Sequence, residues 1–224
     1  MTQLIIGDIH GCYYELQALL DKSAIGDDDE IIALGDLFDR GPEPREVYDF
    51  FRRTPNARSI RGNHEWNHIR ATQGDIPPRV SALITRWQLD NDYPEFLDWV
   101  SCLPLYLDLP SALLVHGFLE PDIALDEQEQ SVLLGVTSAE KYLENMYEHS
   151  WYTYYNSEKP LIVGHRDYSG TQEVFQYEDK VWGIDTRCVY GGSLTGVVLP
   201  DFNLISVPAR RDHWSKLQRK HGIE

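Results

Sequence analysis

Aspartate, histidine and asparagine recur in this chain at places where one metal centre could use them all. Three fragments carry the first group: Gly7-Asp8-Ile9-His10-Gly11, Gly35-Asp36-Leu37-Phe38-Asp39-Arg40-Gly41 and Gly62-Asn63-His64-Glu65. His116 and His165 follow later. Asp8 and His10 stand two apart, so both can face one cation as a strand unwinds. Asp36 offers two carboxylate oxygens and could bridge two ions, while Asn63, His116 and His165 supply neutral oxygen and nitrogen donors. Carboxylate, amide and imidazole without thiolate favour Mn²⁺, Fe or Zn²⁺ over soft-ligand sites. Two such cations, about 3.5–4 Å apart, would activate a hydroxide and clamp the oxygens of an in-line displacement.

The same fragments hold the other parts that phosphate hydrolysis needs. His64 adjoins Asn63, so it can lie beside the metals without coordinating them. Asp39 could orient and charge it, keeping an imidazolium ready to protonate a leaving oxygen. Arg40 and Arg61 flank the same loops and could grip phosphate oxygens through bidentate bonds. Each residue also has a blander reading. Asp8 could cap the helix that begins near Gly11, a lone Asn63 or His116 could be solvated, and the arginines could form surface ion pairs. Taken together, five strand-end positions with compatible donors are hard to obtain from turn chemistry.

The elements that must position these residues are legible as apolar runs. Leu4-Ile5-Ile6, Ile31-Ile32-Ala33-Leu34, Ala57-Arg58-Ser59-Ile60, Ala112-Leu113-Leu114-Val115 and Leu161-Ile162-Val163 each end just before a candidate ligand. Bounded aliphatic stretches of this length read as buried strands, and ligands bind beyond the carboxyl ends of such strands. Gly7, Gly35, Gly62 and Gly164 each precede a candidate ligand, where a missing side chain permits tight turns and close approach. The pattern from Cys12 to Lys22 predicts a helix, and Pro42 opens another carrying Val47, Phe50 and Phe51. The steps from Asp8 to Asp36 and on to Asn63 fit consecutive βαβ units.

Glu65 to Leu103 reads as helical, broken at Gly74 and Pro77-Pro78 and again at Asn91 to Pro94, with its tryptophans in the core. Strands are expected over Gln172 to Tyr177, Val181 to Ile184, Leu194 to Leu199 and Asn203 to Val207. Turns at Gly191-Gly192 and Pro200-Asp201 suggest antiparallel hairpins. Between Gly117 and Pro160 an acidic, Tyr-rich stretch with a helix around Ser138 to His149 reads as an excursion over the active site.

Bulk properties narrow the function. The 224 residues suit one large domain. A formal net charge of −16 disfavours nucleic-acid binding and requires a local island of positive charge for any phosphate chemistry. The exception is the end of the chain, where Arg210, Arg211, Lys216, Arg219 and Lys220 outnumber Asp212 and Glu224. The expected organisation is a catalytic domain over residues 1–208 and a basic tail over 209–224. That tail is expected to be helical, resting on the acidic body or contacting a partner. Cys12, Cys102 and Cys188 form no disulfide framework and no Cys-x-x-Cys pair. Met1-Thr2-Gln3 leads directly into the first strand, without a basic n-region or a long apolar core. No apolar run approaches the roughly 18 residues of a spanning helix, so a cytoplasmic protein without membrane contact is expected.

The fragments GDIHG, GDLFDRG and GNHE resemble the signature of PPP-type phosphoprotein phosphatases, within the calcineurin-like metallophosphoesterases. The run Gly183-Ile184-Asp185-Thr186 and Tyr190 to Thr195 resemble the compact bacterial and bacteriophage branch. The resemblance implies an α/β (α+β) fold, a β-sandwich flanked by helices with a βαβαβ start and the site at its upper rim. It implies one metal on Asp8, His10 and Asp36, and a second on Asp36, Asn63, His116 and His165. It further implies His64 as general acid paired with Asp39, and Arg40 and Arg61 on the substrate phosphate. Two divalent ions, Mn with Fe or Zn as alternatives, are the implied cofactors.

Three departures stand out. The segment from Gly117 to His165 has no arginine, although many relatives place a phosphate-binding arginine there. Arg166 and Arg187 appear instead beside His165 and Asp185, and either could replace that cation or pair with nearby carboxylates. Phe118 follows His116-Gly117 and is expected to shape the pocket wall. The expected activity is metal-dependent hydrolysis of phosphoserine or phosphothreonine in proteins, and of small phosphoesters, by direct attack. The enzymatic alternative is symmetrical cleavage of diadenosine tetraphosphate, with Tyr152, Tyr154 and Tyr155 available to stack adenine or simply to pack. A non-catalytic metal-binding module acting through the basic tail is a third reading. Cys12 is expected to be an inert buried thiol.

Overall fold

Short apolar runs become strands in this chain because each is covered on both faces. The computed structural model describes residues 2–223. It opens with β1 (Gln3–Ile6), α1 (Tyr13–Ser23), β2 (Glu30–Ala33), α2 (Pro44–Arg53) and β3 (Ala57–Ser59). These strands pair in parallel as two successive βαβ units. The breaks read from Gly74, the paired prolines and Pro94 separate α3 (Asn63–Gln73), α4 (Val80–Leu89) and α5 (Tyr93–Ser101).

The second half runs β4 (Tyr106–Asp108), β5 (Leu113–Val115), α6 (Gln130–Leu133), α7 (Thr137–Met146) and β6 (Leu161–Val163). It continues with β7 (Phe175–Tyr177), β8 (Val181–Gly183), β9 (Ser193–Leu199), β10 (Asn203–Pro208) and α8 (His213–His221). Two five-stranded sheets result, ordered β10-β9-β1-β2-β3 and β4-β5-β6-β8-β7.

Side-chain alternation along the strands builds three apolar layers. Ile5, Ile32 and Leu34 of the first sheet meet Leu114, Ile162 and Ile184 of the second between the sheets. Their neighbours Leu4, Ile6, Ile31 and Ala33 face the other way, onto Leu16, Leu19, Val47, Phe51 and Phe96 of the helices. On the far side Leu113, Val115, Leu161 and Val163 pack under Leu133, Leu143 and Trp151. Strands buried on both faces carry unbroken aliphatic runs, which is why these segments show no polar alternation. The result is the expected α/β sandwich flanked by helices.

Several details differ from the sequence reading: of the tryptophans expected in the core, Trp66 and Trp99 are only partly buried against it and Trp87 is 68% exposed. β4 was not anticipated, since a three-residue edge strand is too short to show a period. β7 starts at Phe175 rather than Gln172. Asp167 explains this, because its carboxylate accepts bonds from the backbone N–H groups of Ser169, Gly170 and Gln172 and folds them into a turn. Pro200-Asp201 closes the β9–β10 hairpin as expected, but Gly191-Gly192 closes none, because β8 pairs with β7 and β6 in the second sheet while β9 joins the first. The 117–160 stretch mainly covers the outer face of the second sheet, and it reaches the candidate site through Phe118, Gly135 and Glu140.

The terminal helix α8 is docked onto α1. Asp212 caps it by accepting from Ser215 N at 2.8 Å. His213 is buried with its Nε2 2.9 Å from Glu15 Oε1, which also accepts from Arg210 N at 3.1 Å. No helix among the described residues is long and apolar enough to cross a membrane.

Candidate metal centre and phosphate cleft

Six parallel strands end on one rim, and each hands a polar residue to it. β1, β2 and β3 lead to Asp8, Asp36 and Asn63, while β5, β6 and β8 lead to His116, His165 and Asp185. The backbone there is held in unusual conformations. His10, Asp36, Asp39, Arg40, His165 and Arg187 all have positive φ, a region that non-glycine residues enter at a cost and that clusters at functional sites. Close approach explains two of the glycines. A Cβ at Gly164 would fall against Asp8 Oδ1, and one at Gly62 against Asp36 Oδ1.

Asp36 sits at the middle of the cluster. Its Oδ2 lies 3.7 Å from His10 Nε2 and its Oδ1 3.4 Å from His116 Nε2. The ligand atoms of His10, Asp36 and His64 are mutually within 4.8 Å, and so are those of Asp36, His116 and His165. Asn63 Oδ1 completes the second group, 3.0 Å from His116 Nε2 and 3.1 Å from His165 Nδ1. Asp8 reaches the same ground through Oδ1, which accepts from His165 N at 2.9 Å.

Proton placement tests whether this set suits cations. His10 Nδ1 is 2.8 Å from Phe38 O and His116 Nδ1 is 2.8 Å from Leu34 O. A carbonyl can only accept, so both rings carry the proton on Nδ1 and turn a bare Nε2 lone pair toward Asp36. Burial, reinforced by Arg40, pushes His10 down to about 3. Burial, reinforced by His116, pushes His165 down to about 3 as well, and burial lowers His116. All three are therefore neutral donors at neutral pH, the state a metal requires.

Burial opposes the charge on Asp36, but His116, His64 and His10 outweigh it and hold the carboxyl below its usual range. Asp8 behaves oppositely. Burial, then the charges of Asp185 and Asp36, raise it well above its usual range, and its Oδ2 is buried with no hydrogen-bond partner. Crowded lone pairs and an orphaned carboxylate oxygen fit divalent cations.

His64 borders this donor set and is bound on its other side by Asp39. Its Nδ1 lies 2.7 Å from Asp39 Oδ2, while its Nε2 is buried without a partner beside the ring of His10, 4.8 Å between centroids. Asp39 also takes His68 Nε2 at 3.0 Å and the Thr85 hydroxyl at 2.7 Å. Burial works against its charge, but these imidazoles keep the carboxyl well below the usual range. Phe38 anchors the loop between Asp36 and Asp39, fully buried and edge-on to Phe96 at 4.9 Å. Glu65 ties two loops together by accepting from Asp36 N and Gly62 N at 2.9 Å and from Leu37 N at 3.0 Å.

The arginines divide. Arg40 NH1 donates to His10 Nε2 at 3.0 Å and lies 5.7 Å from the Tyr190 ring centroid. Arg187 stacks on the same ring at 4.1 Å, and its backbone N–H donates to Asp185 Oδ1 at 2.9 Å. Arg166 pairs with Glu140 and lies over Tyr168. His165, Arg166 and Arg187 line one open cleft of about 500 Å³, together with Glu140, Asp167 and Gln172.

Arg61 corrects the sequence reading. Its Nε donates to Val100 O at 3.1 Å, and its NH2 to Ser101 O and Leu103 O at 2.5 and 2.9 Å. These are carbonyls at the end of α5, which needs donors there, so Arg61 braces the third loop and does not face phosphate. The sequence reading also missed Asp185, His68, Glu65 and Tyr190. Asp185 follows an apolar run as the candidate ligands do, and His68 stands one helical turn after His64, so both had a usable signal. Burial raises Asp185 to about 6.

Known proteins resemble this chain over much of its length. The symmetrical bis(5'-nucleosyl)-tetraphosphatase of Shewanella sp. (strain W3-18-1) is 30% identical over 151 residues, covering 64% of this chain and 55% of that protein. The chain thus spans about half the length of that relative. The asymmetrical bis(5'-nucleosyl)-tetraphosphatase PrpE of Bacillus subtilis (strain 168) is 28% identical over 236 residues, covering 93% of this chain and 95% of that one. A crystal structure of a proposed diadenosine tetraphosphatase superposes with a TM-score of 0.74 at 26% identity, over 93% of both chains. The family model for calcineurin-like phosphoesterases matches residues 1–191, and the chain belongs to that family.

Proposed function

We propose that this metallophosphoesterase hydrolyses dinucleoside polyphosphates. The observation that carries this reading is the pair of guanidinium groups, Arg40 and Arg187, carried on the single ring of Tyr190. Arg187 also lines the open cleft beside His165 with Arg166, so three guanidinium groups gather around the site in a chain of net charge −16. Several separate guanidinium groups suit a row of phosphates better than one phosphoryl group. The named activity of the relatives points the same way. The sequence alone ranks a serine/threonine protein phosphatase first, and these two considerations reverse that order.

The residues have distinct parts in this reading. Asp8, His10, Asp36, Asn63, His116 and His165 would hold two divalent ions, and this oxygen- and nitrogen-rich set serves Mn²⁺, Fe or Zn²⁺. Bound there, the ions supply Lewis acidity at the phosphoryl group and a nucleophile at neutral pH. Arg40 and Arg187 orient phosphate oxygens and neutralise charge that develops on them. Asp39 holds the His64 proton on Nδ1 in the neutral ring, and in the protonated ring leaves Nε2 to donate to the departing oxygen. Glu65 keeps the Asp36 and Asn63 loops in register.

Turnover of diadenosine tetraphosphate, a phosphoserine peptide and p-nitrophenyl phosphate by the manganese-loaded protein tests the proposal. The highest kcat/KM is expected for the dinucleotide. Chromatography of the products separates symmetrical cleavage, giving two ADP, from asymmetrical cleavage, giving ATP and AMP. A preference for the peptide would refute the proposal and favour the second reading, a phosphomonoesterase of the PPP type. That reading is favoured by the three-part signature of GDIHG, GDLFDRG and GNHE.

A further inference from the structure

A second cavity adjoins the phosphate cleft. It has a volume of about 310 Å³, within the range that holds small organic ligands. Its aromatic wall includes Phe118, Trp151, Tyr152 and Tyr168, and its rim carries Glu144 and Glu148. Glu140 and Arg166 line both spaces, so their ion pair stands on the boundary between them. Phe118 forms a further link, since its ring meets that of His165 edge-on at 5.3 Å.

The charges on the two sides differ. In the cleft Arg166 and Arg187 balance Glu140 and Asp167 beside His165, whereas in the aromatic cavity Glu140, Glu144 and Glu148 outnumber Arg166. A phosphate entering the cavity would meet like charge. A neutral heterocycle with exocyclic amine and ribose hydroxyl groups would meet aromatic surface and carboxylate acceptors. Tyr154 and Tyr155, which the sequence grouped with Tyr152, line a different cavity with Leu119 and Pro121.

We propose that the cavity bounded by Phe118, Trp151, Tyr152 and Tyr168 is a nucleoside subsite, holding one base and ribose of a dinucleoside polyphosphate whose phosphates lie along Arg166 and Arg187. This deepens the function proposed above and rests on it. The Arg166–Glu140 pair opens toward the substrate, Arg166 turning to phosphate while Glu140 stays with the nucleoside.

The test fills the cavity from its exposed edge with Ser150→Trp. Steady-state kinetics are compared for diadenosine tetraphosphate and p-nitrophenyl phosphate, and adenosine binding is measured by equilibrium dialysis. The ratio of KM for the dinucleotide to KM for p-nitrophenyl phosphate is expected to rise about tenfold, in line with the loss of one base-stacking interaction. Adenosine binding should weaken by a similar factor. An unchanged ratio with unchanged adenosine binding overturns the subsite while leaving dinucleotide hydrolysis standing. A rise in KM for the phosphoserine peptide alone also overturns it, making the cavity a peptide groove. If the wild-type protein binds adenosine but does not cleave the dinucleotide, the function reading fails and the subsite survives. Glu148→Trp repeats the measurement from another point on the rim, so a misfolded Ser150→Trp does not decide the matter.

Discussion

Replacing Asp39 with asparagine separates the proton donor from the rest of the machinery. Asp39 is 1% exposed and accepts from His64, His68 and Thr85 at 2.7, 3.0 and 2.7 Å. Asparagine keeps one acceptor oxygen and turns an NH₂ group toward an imidazole N–H. One charge-assisted bond is then lost outright and the others are weakened. Hydrogen bonds to charged groups contribute about 1.5–3 kcal/mol each, so a destabilisation of about 3 kcal/mol is expected. For a chain of this length that lowers Tm by about 6–12 °C.

The catalytic effect should depend on the leaving group. General acid catalysis contributes roughly 10²–10⁴-fold, or about 2.7–5.4 kcal/mol of barrier. Phenol, with a pKa near that of tyrosine at about 10, leaves poorly without a proton. p-Nitrophenolate is a much weaker base and needs little help. Asp39→Asn is therefore expected to cut kcat for phenyl phosphate by about 10²-fold or more, and for p-nitrophenyl phosphate by less than about tenfold. The assay is steady-state kinetics with both esters below the Tm of the variant, with bound metal quantified. Equal losses for the two esters at full metal occupancy would refute the assignment of Asp39 and His64 as a proton-donating pair.

Arg187→Ala should raise KM for the dinucleotide about tenfold or more, and Arg187→Lys should not restore it, because an ammonium neither stacks on Tyr190 nor binds phosphate bidentately. Wild-type KM values in both would remove Arg187 from the site. Arg61→Ala should cost about 2–3 kcal/mol in urea unfolding through its bonds to the end of α5, and should move KM less than Arg40→Ala. Equal KM effects would return Arg61 to the phosphate. Gly164→Ala pushes a Cβ against Asp8 Oδ1 and should weaken Mn²⁺ binding by about 10–100-fold in calorimetry, as loss of ligand support does elsewhere; unchanged affinity would argue against Asp8 as a ligand.

Acid stability tests the docking of α8. Burial pushes Glu15 upward, but His213 and the Arg210 N–H outweigh it and draw the carboxyl down from 4.5 to about 2. A depressed folded-state pKa gives stability that is full above pH 4.5 and is lost as pH falls toward 2. The stability advantage of wild type over Glu15→Gln should therefore shrink between pH 6 and pH 3. A gap independent of pH would show that the Glu15 charge does not hold the helix.

The sequence by itself determined the donors, their order and the strands that end beside them. Asp8, Asp36, Asn63, His116 and His165 each follow an apolar run, and a run buried on both faces is recognisable without partners. The helix breaks at Gly74 and Pro94 were equally legible, because proline and glycine act through their own backbone. What only the tertiary structure decided involves competition between distant segments. Arg61 looked like a phosphate ligand until the carbonyls of Val100, Ser101 and Leu103 arrived to take its N–H groups. Asp185 had no assigned role until β8 paired in parallel with β6 and brought it to the rim. Arg187 and Arg40 share Tyr190, and Arg166 meets Glu140, only because the chain folds back on itself. Residue type and local spacing set which interactions a side chain can make, and the geometry of remote partners decides which of them it does make.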